Sequence, residues 1–247
     1  MEVHHHPKTE TKSFKEYILE GLMIFLAVTL GFFAESLREH LSDRSKEKEY
    51  MAGLVQDIRK DTAELSMIIK YDSIKNKGID SLLSLSNNLK DSNSYKELFY
   101  YDIFYLNNMA LFKGTDAVMQ QLKSSGNLRL IQKLNIADSI ESYDAAVKDT
   151  YGQGDIYKNL FNDIENMQFT LFYLTRLSDS TKMTKAAFLK MKDPMITKDR
   201  KLLETFINKA YGLKSVNQFY HSVLLKKQLT FATRMIALLK QEYNIKE

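Results

Sequence analysis

The chain has 247 residues, 44% apolar and 27% charged, with a formal net charge of +4; that balance is ordinary for a folded protein and allows one large or two small domains. It carries no cysteine, which excludes disulfides, zinc–thiolate sites and thiol catalysis. The mild positive charge is dispersed, with no basic stripe interleaved with aromatics, so a nucleic-acid partner is set aside. Only two prolines and nine glycines, beside plentiful Lys, Leu, Glu and Asp, predict an all-α protein.

Residues 1–16 read as a short flexible tail bearing Lys8, Lys12 and Lys15. His4, His5 and His6 are candidate ligands for a transition metal, but neighbouring histidines on a mobile tail preset no coordination geometry. A solvated tail is the simpler reading, and no cofactor is expected.

Residues 17–37, YILEGLMIFLAVTLGFFAESL, form the one run apolar enough to prefer lipid. The uncharged part, Gly21 to Ala34, rises only about 21 Å as a helix, short of a hydrocarbon core of roughly 30 Å. Taken alone it would suit a buried core helix. Ile18, Leu19 and Leu37 extend it, however, and with Ala27 at the midplane the carboxylates of Glu20 and Glu35 lie about 10 and 12 Å away. From there they can reach toward the headgroups. Leu, Ile, Phe and Val contribute roughly 0.3–0.6 kcal/mol each to insertion. A cleaved signal peptide fits less well: cleavage after Ala34 wants a small residue where Phe32 stands, and the alternative after Gly31 has Thr29 there.

At 100° per residue, Glu20, Ile24, Ala27, Gly31, Ala34, Glu35 and Arg38 share one stripe, while Leu22, Phe25, Leu26, Thr29, Phe32 and Phe33 lie opposite. Ala27 and Gly31 form a small-xxx-small pair that lets helix backbones approach closely. The expected partner of that face is a second copy of the chain or another membrane protein; the alternative is a lone helix whose glutamates reach the interface.

From residue 38 to 247 the sequence predicts an extramembrane helical domain: the transmembrane helix continues into a long helix, followed by an elongated multi-helix bundle. Met51, Val55, Ile58, Thr62, Leu65 and Ile69 recur at helical spacing, giving a helix to about Lys70. Residues 74–89 carry another apolar stripe, residues 90–94 a loop, and residues 95–112 an aromatic segment suited to a core. Thr115 is positioned to cap a helix to about Leu122, and Gly126 to end it in the left-handed conformation. A short element at 128–131 and a helix at 138–151 follow, then a turn at Gly152 and Gly154. A helix over 155–177, an irregular stretch over 178–197, and one or two helices over 198–243 with a bend at Gly212 complete the chain.

The opening MEVHHHP, followed by FKEYILEGLMIFLAVTLGFFAESLREH and KEKEYMAGLVQDIRKDT, resembles a group of bacterial single-pass membrane proteins of unknown function. The segment Gln121 to Ile131, QLKSSGNLRLI, is similar to one in a broader bacterial family of unknown function whose members begin with a transmembrane helix carrying an early glutamate, matched here by Glu20. The resemblance implies a bacterial inner-membrane anchor and a helical domain outside it, on the periplasmic side. Lysine and arginine counts lean slightly the other way, with Arg38, Arg44, Lys46 and Lys48 flanking the helix against three lysines in the tail.

Chemistry has little to stand on. The five histidines are His4, His5, His6, His40 and His221, and they supply no pair of Glu-x-x-His motifs for a di-iron bundle. There is no His-Glu-x-x-His, phosphate-binding loop or Gly-x-Ser-x-Gly, so no catalysis is expected. Lys123, Ser124, Ser125, Asn127 and Arg129 around Gly126 make the best polar constellation. Backbone N–H groups and two cations there can receive an anion or a partner's carboxylate; the plainer reading is a helix C-cap with Lys123 complementing the dipole. Three functions stay open: a self-associating interaction scaffold, an oligomeric ion or proton conductor (or its accessory) using Glu20 and Glu35, and a ligand-sensing domain around Gly126.

Overall fold

The computed structural model describes residues 13–177 and 184–246. The protein is all-α; among the described residues there is no strand, only an isolated antiparallel bridge between Phe172 and Met195. The chain divides at Glu49/Tyr50 into two compact units. That division falls inside α1 (Phe14–Leu85), one uninterrupted helix of 72 residues. The stripe at residues 74–85 is therefore not a separate helix. No proline or left-handed residue lies between Lys70 and Ile74 to end the first one, and Asp72, Lys75 and Ile79 are buried in the same element.

In the unit that begins at Tyr50, α1 is joined by α2 (Ser92–Tyr101), α3 (Ala117–Ser124), α4 (Leu134–Leu171), α5 (Lys185–Lys190), α6 (Arg200–Phe219) and α7 (Lys226–Tyr243). Asp91 starts α2 with a capping box, accepting from Ser94 N–H at 2.8 Å while the Ser94 hydroxyl accepts from Asp91 N–H. Asp199 caps α6 through Leu202 N–H. α2 runs into a π-helical turn, Asp102–Leu106, and a second π turn, Tyr220–Leu225, joins α6 to α7.

Two expected breaks are absent. α4 passes straight through Gly152 and Gly154, and α6 straight through Gly212. A helical glycine costs only about 1 kcal/mol, and the buried side of α4 outweighs that. Ile136, Ile140, Tyr143, Val147, Thr150, Gly154, Tyr157, Phe161, Ile164, Gln168 and Leu171 follow one another at alternating steps of four and three. The irregularity expected near Gly212 lies instead in the π turn.

The apolar interior forms two clusters. One joins Met51 to Ile68 of α1 with Met119 and Leu122 of α3, Ile136 to Val147 of α4, and Ala232 to Leu239 of α7. The other joins Ile79 and Leu82 of α1 with Leu98 and Phe99 of α2, Tyr157 to Leu171 of α4, Phe188 of α5 and Leu203 to Leu213 of α6. Aromatic density in residues 95–112 does build a core: Phe99 packs on Phe172 and Phe188 with ring centroids 4.9 and 5.8 Å apart.

Candidate functional site

In the unit that ends at Glu49, the apolar stretch of α1 lies entirely outside any core. Its most apolar 18-residue window has a mean hydropathy of 2.0 and no buried residue. Phe25 is 65% exposed and Phe32 75%. Glu20, Ala27, Gly31, Ala34, Glu35 and Arg38 are all exposed. A Cβ at Gly31 would meet nothing within 4 Å, so this face is open to an approaching helix. Arg38 donates to Glu35 with both Nε (3.0 Å) and Nη2 (2.5 Å), one turn further along the helix, and Thr29 returns its hydroxyl to the Phe25 carbonyl.

The corner at Gly126 is built as a helix end. Gly126 has φ of +68°, a conformation only glycine adopts without strain. The N–H of Ser125 returns to the Gln121 carbonyl and that of Gly126 to the Lys123 carbonyl. Both serine hydroxyls also donate to Gln121 O. Lys123 is engaged by Asp144 at 2.5 Å, a carboxylate shared with Lys148; burial is the largest single influence on Asp144 and raises its pKa, but the two ammonium groups together outweigh it and hold the carboxyl below the usual range. Asn127 donates to the Tyr50 hydroxyl on α1 at 2.7 Å. Arg129 is exposed and, among the described residues, is the one of the five polar side chains with no hydrogen bond or ion pair. His4, His5 and His6 lie outside the described residues, and among the described residues no group of three or more His, Asp or Glu is placed to hold a metal.

The start of α3 shows a device the sequence reading missed. The cap is not the Thr115 side chain. Instead Asp57 of α1 accepts from Val118 N–H (3.1 Å), and Asp61, one turn on, accepts from Thr115 N–H (2.6 Å) and the Tyr143 hydroxyl (2.7 Å). Burial raises the Asp61 pKa, opposed by those two hydrogen bonds. Carboxylates supplied by a distant helix leave no local signature at residues 115–118.

A second missed feature lies between the two apolar clusters. Along α1, along α4 and across the α6–α7 junction, residues of one cluster give way to polar ones before the other begins. Asp72, Lys75, Tyr157, Asn217 and His221 meet there, each no more than 4% exposed. Lys75 donates to the Asn108 carbonyl and to the Tyr157 hydroxyl (2.5 Å), and its ammonium lies 5.1 Å from the centre of the Tyr157 ring. Asn217 and Asn76 donate to Asp72. His221 places Nδ1 3.1 Å from Asn217 O and 3.5 Å from Asp72 Oδ1, and Nε2 3.2 Å from Ala110 O. Burial lowers the His221 pKa and raises that of Asp72, and their mutual attraction works against both shifts. Burial also pulls Lys75 down to about 8, with Asp72 opposing. Both ring nitrogens of His221 face backbone carbonyl oxygens of the fold, and the network ties four segments together. A polar cleft of about 270 Å³ opens beside it.

Comparison of the chain with protein-family models, with curated proteins and with solved structures gives no match.

Proposed function

We propose that this protein is a membrane-anchored, non-catalytic helical scaffold that self-associates through the small-residue face of its anchor. The observation that carries the reading is that every residue from 17 to 37 is exposed. Eleven Leu, Ile, Phe and Val side chains in that run stand about half to three-quarters exposed. Removing such side chains from water is worth roughly 1.5–3 kcal/mol apiece when complete, so the run as a whole represents on the order of 10–20 kcal/mol. That matches or exceeds the whole stability of an ordinary domain, about 5–15 kcal/mol. None of these side chains is buried among the described residues, and insertion into a bilayer is what would recover that energy.

The anchor belongs, in this reading, to a bacterial inner membrane with the helical domain on the periplasmic side. Association comes from Ala27 and Gly31, where backbones can touch. The Glu35–Arg38 pair occupies one of the two carboxylates a conductor would need, which favours the scaffold over an ion pathway. The Gly126 corner is a subsidiary contact point through Arg129, its neighbours being spent on the helix end.

Single cysteines at Ala27 and Gly31 test the association: in membranes, Ala27→Cys and Gly31→Cys crosslink efficiently and Phe25→Cys poorly. Equal yields at all three positions would remove the proposed interface. A periplasm-active reporter fused after Glu247 reads the side; activity only from a cytoplasm-active reporter reverses the orientation.

A further inference from the structure

A buried carboxyl outside the polar layer has no counter-charge. Asp102, the first residue of the π turn after α2, is 0% exposed, and its partner Gln168 near the end of α4 is 1% exposed. Gln168 Nε2 donates to Asp102 Oδ1 at 2.8 Å. The other two polar atoms of the pair, Asp102 Oδ2 and Gln168 Oε1, are buried with no hydrogen-bond partner. Both are acceptors when the acid is ionised, and neither can serve the other. A proton on Asp102 would turn Oδ2 into a donor that Oε1 could accept, beside the Nε2–H to Oδ1 bond already present, and so complete an acid–amide ring. Reversing the amide, which exchanges its oxygen and nitrogen, does not remove the need for that proton.

We propose that the Asp102–Gln168 pair is a proton-dependent latch that holds α2 and its π turn against the end of α4 and releases that segment when the proton leaves. Nothing in the site offers an ionised Asp102 a home. Among the described residues, burial and the single amide hydrogen bond are what act on the carboxyl, and no charged side chain on a packed element does. The titratable groups adjoining it on its own segment are Tyr100, Tyr101 and Tyr105, none of them a cation. Burial raises the group to about 8, so it keeps its proton at neutral pH and loses it under mildly alkaline conditions. An ionised carboxylate then draws water, and the route by which water reaches it is separation of the π turn from α4.

What the latch covers gives the release a consequence. Leu98, Phe99 and Leu106, fully buried on this segment, pack with Phe172, Phe188 and Phe206. Opening exposes an aromatic surface that is hidden at lower pH, so the ligand of this site is the proton and its output is an uncovered apolar face.

Amide hydrogen exchange on the full chain in mild detergent, with rates corrected to protection factors, tests this from pH 6 to pH 10. In the unaltered protein, protection over residues 98–106 and 164–172 holds at acid and neutral pH. It then falls about tenfold per pH unit once the acid ionises, while residues 54–68 stay constant. Asp102→Asn, whose amide completes the same ring without a titratable proton, keeps its protection throughout. Flat protection in the unaltered chain overturns the proposal whether or not the variant folds, and so does an equal loss in Asp102→Asn. A uniform loss over residues 54–68 as well assigns the effect to global unfolding and likewise overturns it.

Discussion

Lys75→Met probes the buried polar layer through its pH dependence. At neutral pH two large effects oppose each other. The variant loses two hydrogen bonds from a charged donor, each about 1.5–3 kcal/mol, and leaves the Asn108 carbonyl bare. It also removes an ammonium whose pKa burial has pulled from the ordinary 10.5 to about 8, a penalty of roughly 3 kcal/mol. Opposing contributions of this size leave the absolute change a poor discriminator. The slope is a good one. Between about pH 8 and pH 10.5 the unfolded lysine keeps its proton while the folded one gives it up, so the unfolded state binds more protons and stability rises with pH. Below pH 8 both states hold the proton and the contribution is flat. From pH 7 to pH 10 Lys75 therefore adds about 2.5 kcal/mol to stability, and the methionine variant loses that increment. Urea unfolding followed by circular dichroism at both pH values gives the wild-type-minus-variant difference, in which other titrating groups cancel. A difference that does not change between pH 7 and pH 10 would refute the burial of this ammonium beneath Tyr157.

Two further substitutions test the packing. Tyr143→Phe removes the donor to buried Asp61 Oδ2 and should destabilise by about 1–3 kcal/mol; urea midpoints within a few tenths of a kcal/mol of wild type contradict the contact. Gly78→Ala places a Cβ inside the space of the Tyr105 ring and should cost about 1–3 kcal/mol. A Tyr105→Ala background should remove most of that extra penalty in a double-mutant cycle, and strictly additive effects would place the conflict elsewhere.

The long helices were legible where their periodicity is apolar and illegible where polar members replace it. The seam of α1 from Met51 to Leu65 is visible because Met51, Leu54, Val55, Ile58 and Leu65 are buried hydrophobes at helical spacing. In α4 the inward series includes Thr150, Gly154 and Gln168, and two glycines close together imitate a turn, so one helix reads as two. Only burial from neighbouring helices, which carries no local signal, decides the matter. The same applies to Asp57 and Asp61, which resemble solvated charges until α3 arrives to be capped. Gly126 was readable because a left-handed residue after a helix is a local requirement. The exposed run at residues 17–37 was readable because composition alone distinguishes it. Asp102 and Gln168 are ordinary polar residues in sequence, 66 positions apart, and only the fold pairs them.

The central claim is that residues 17–37 hold the chain in a bilayer, and alkaline carbonate extraction of membranes from cells making the unaltered protein measures it most directly. The intact chain should stay in the membrane pellet after peripheral proteins are stripped and enter solution only with detergent. Release of the intact chain by carbonate, or its recovery with the soluble fraction, would contradict the anchor and the scaffold built upon it.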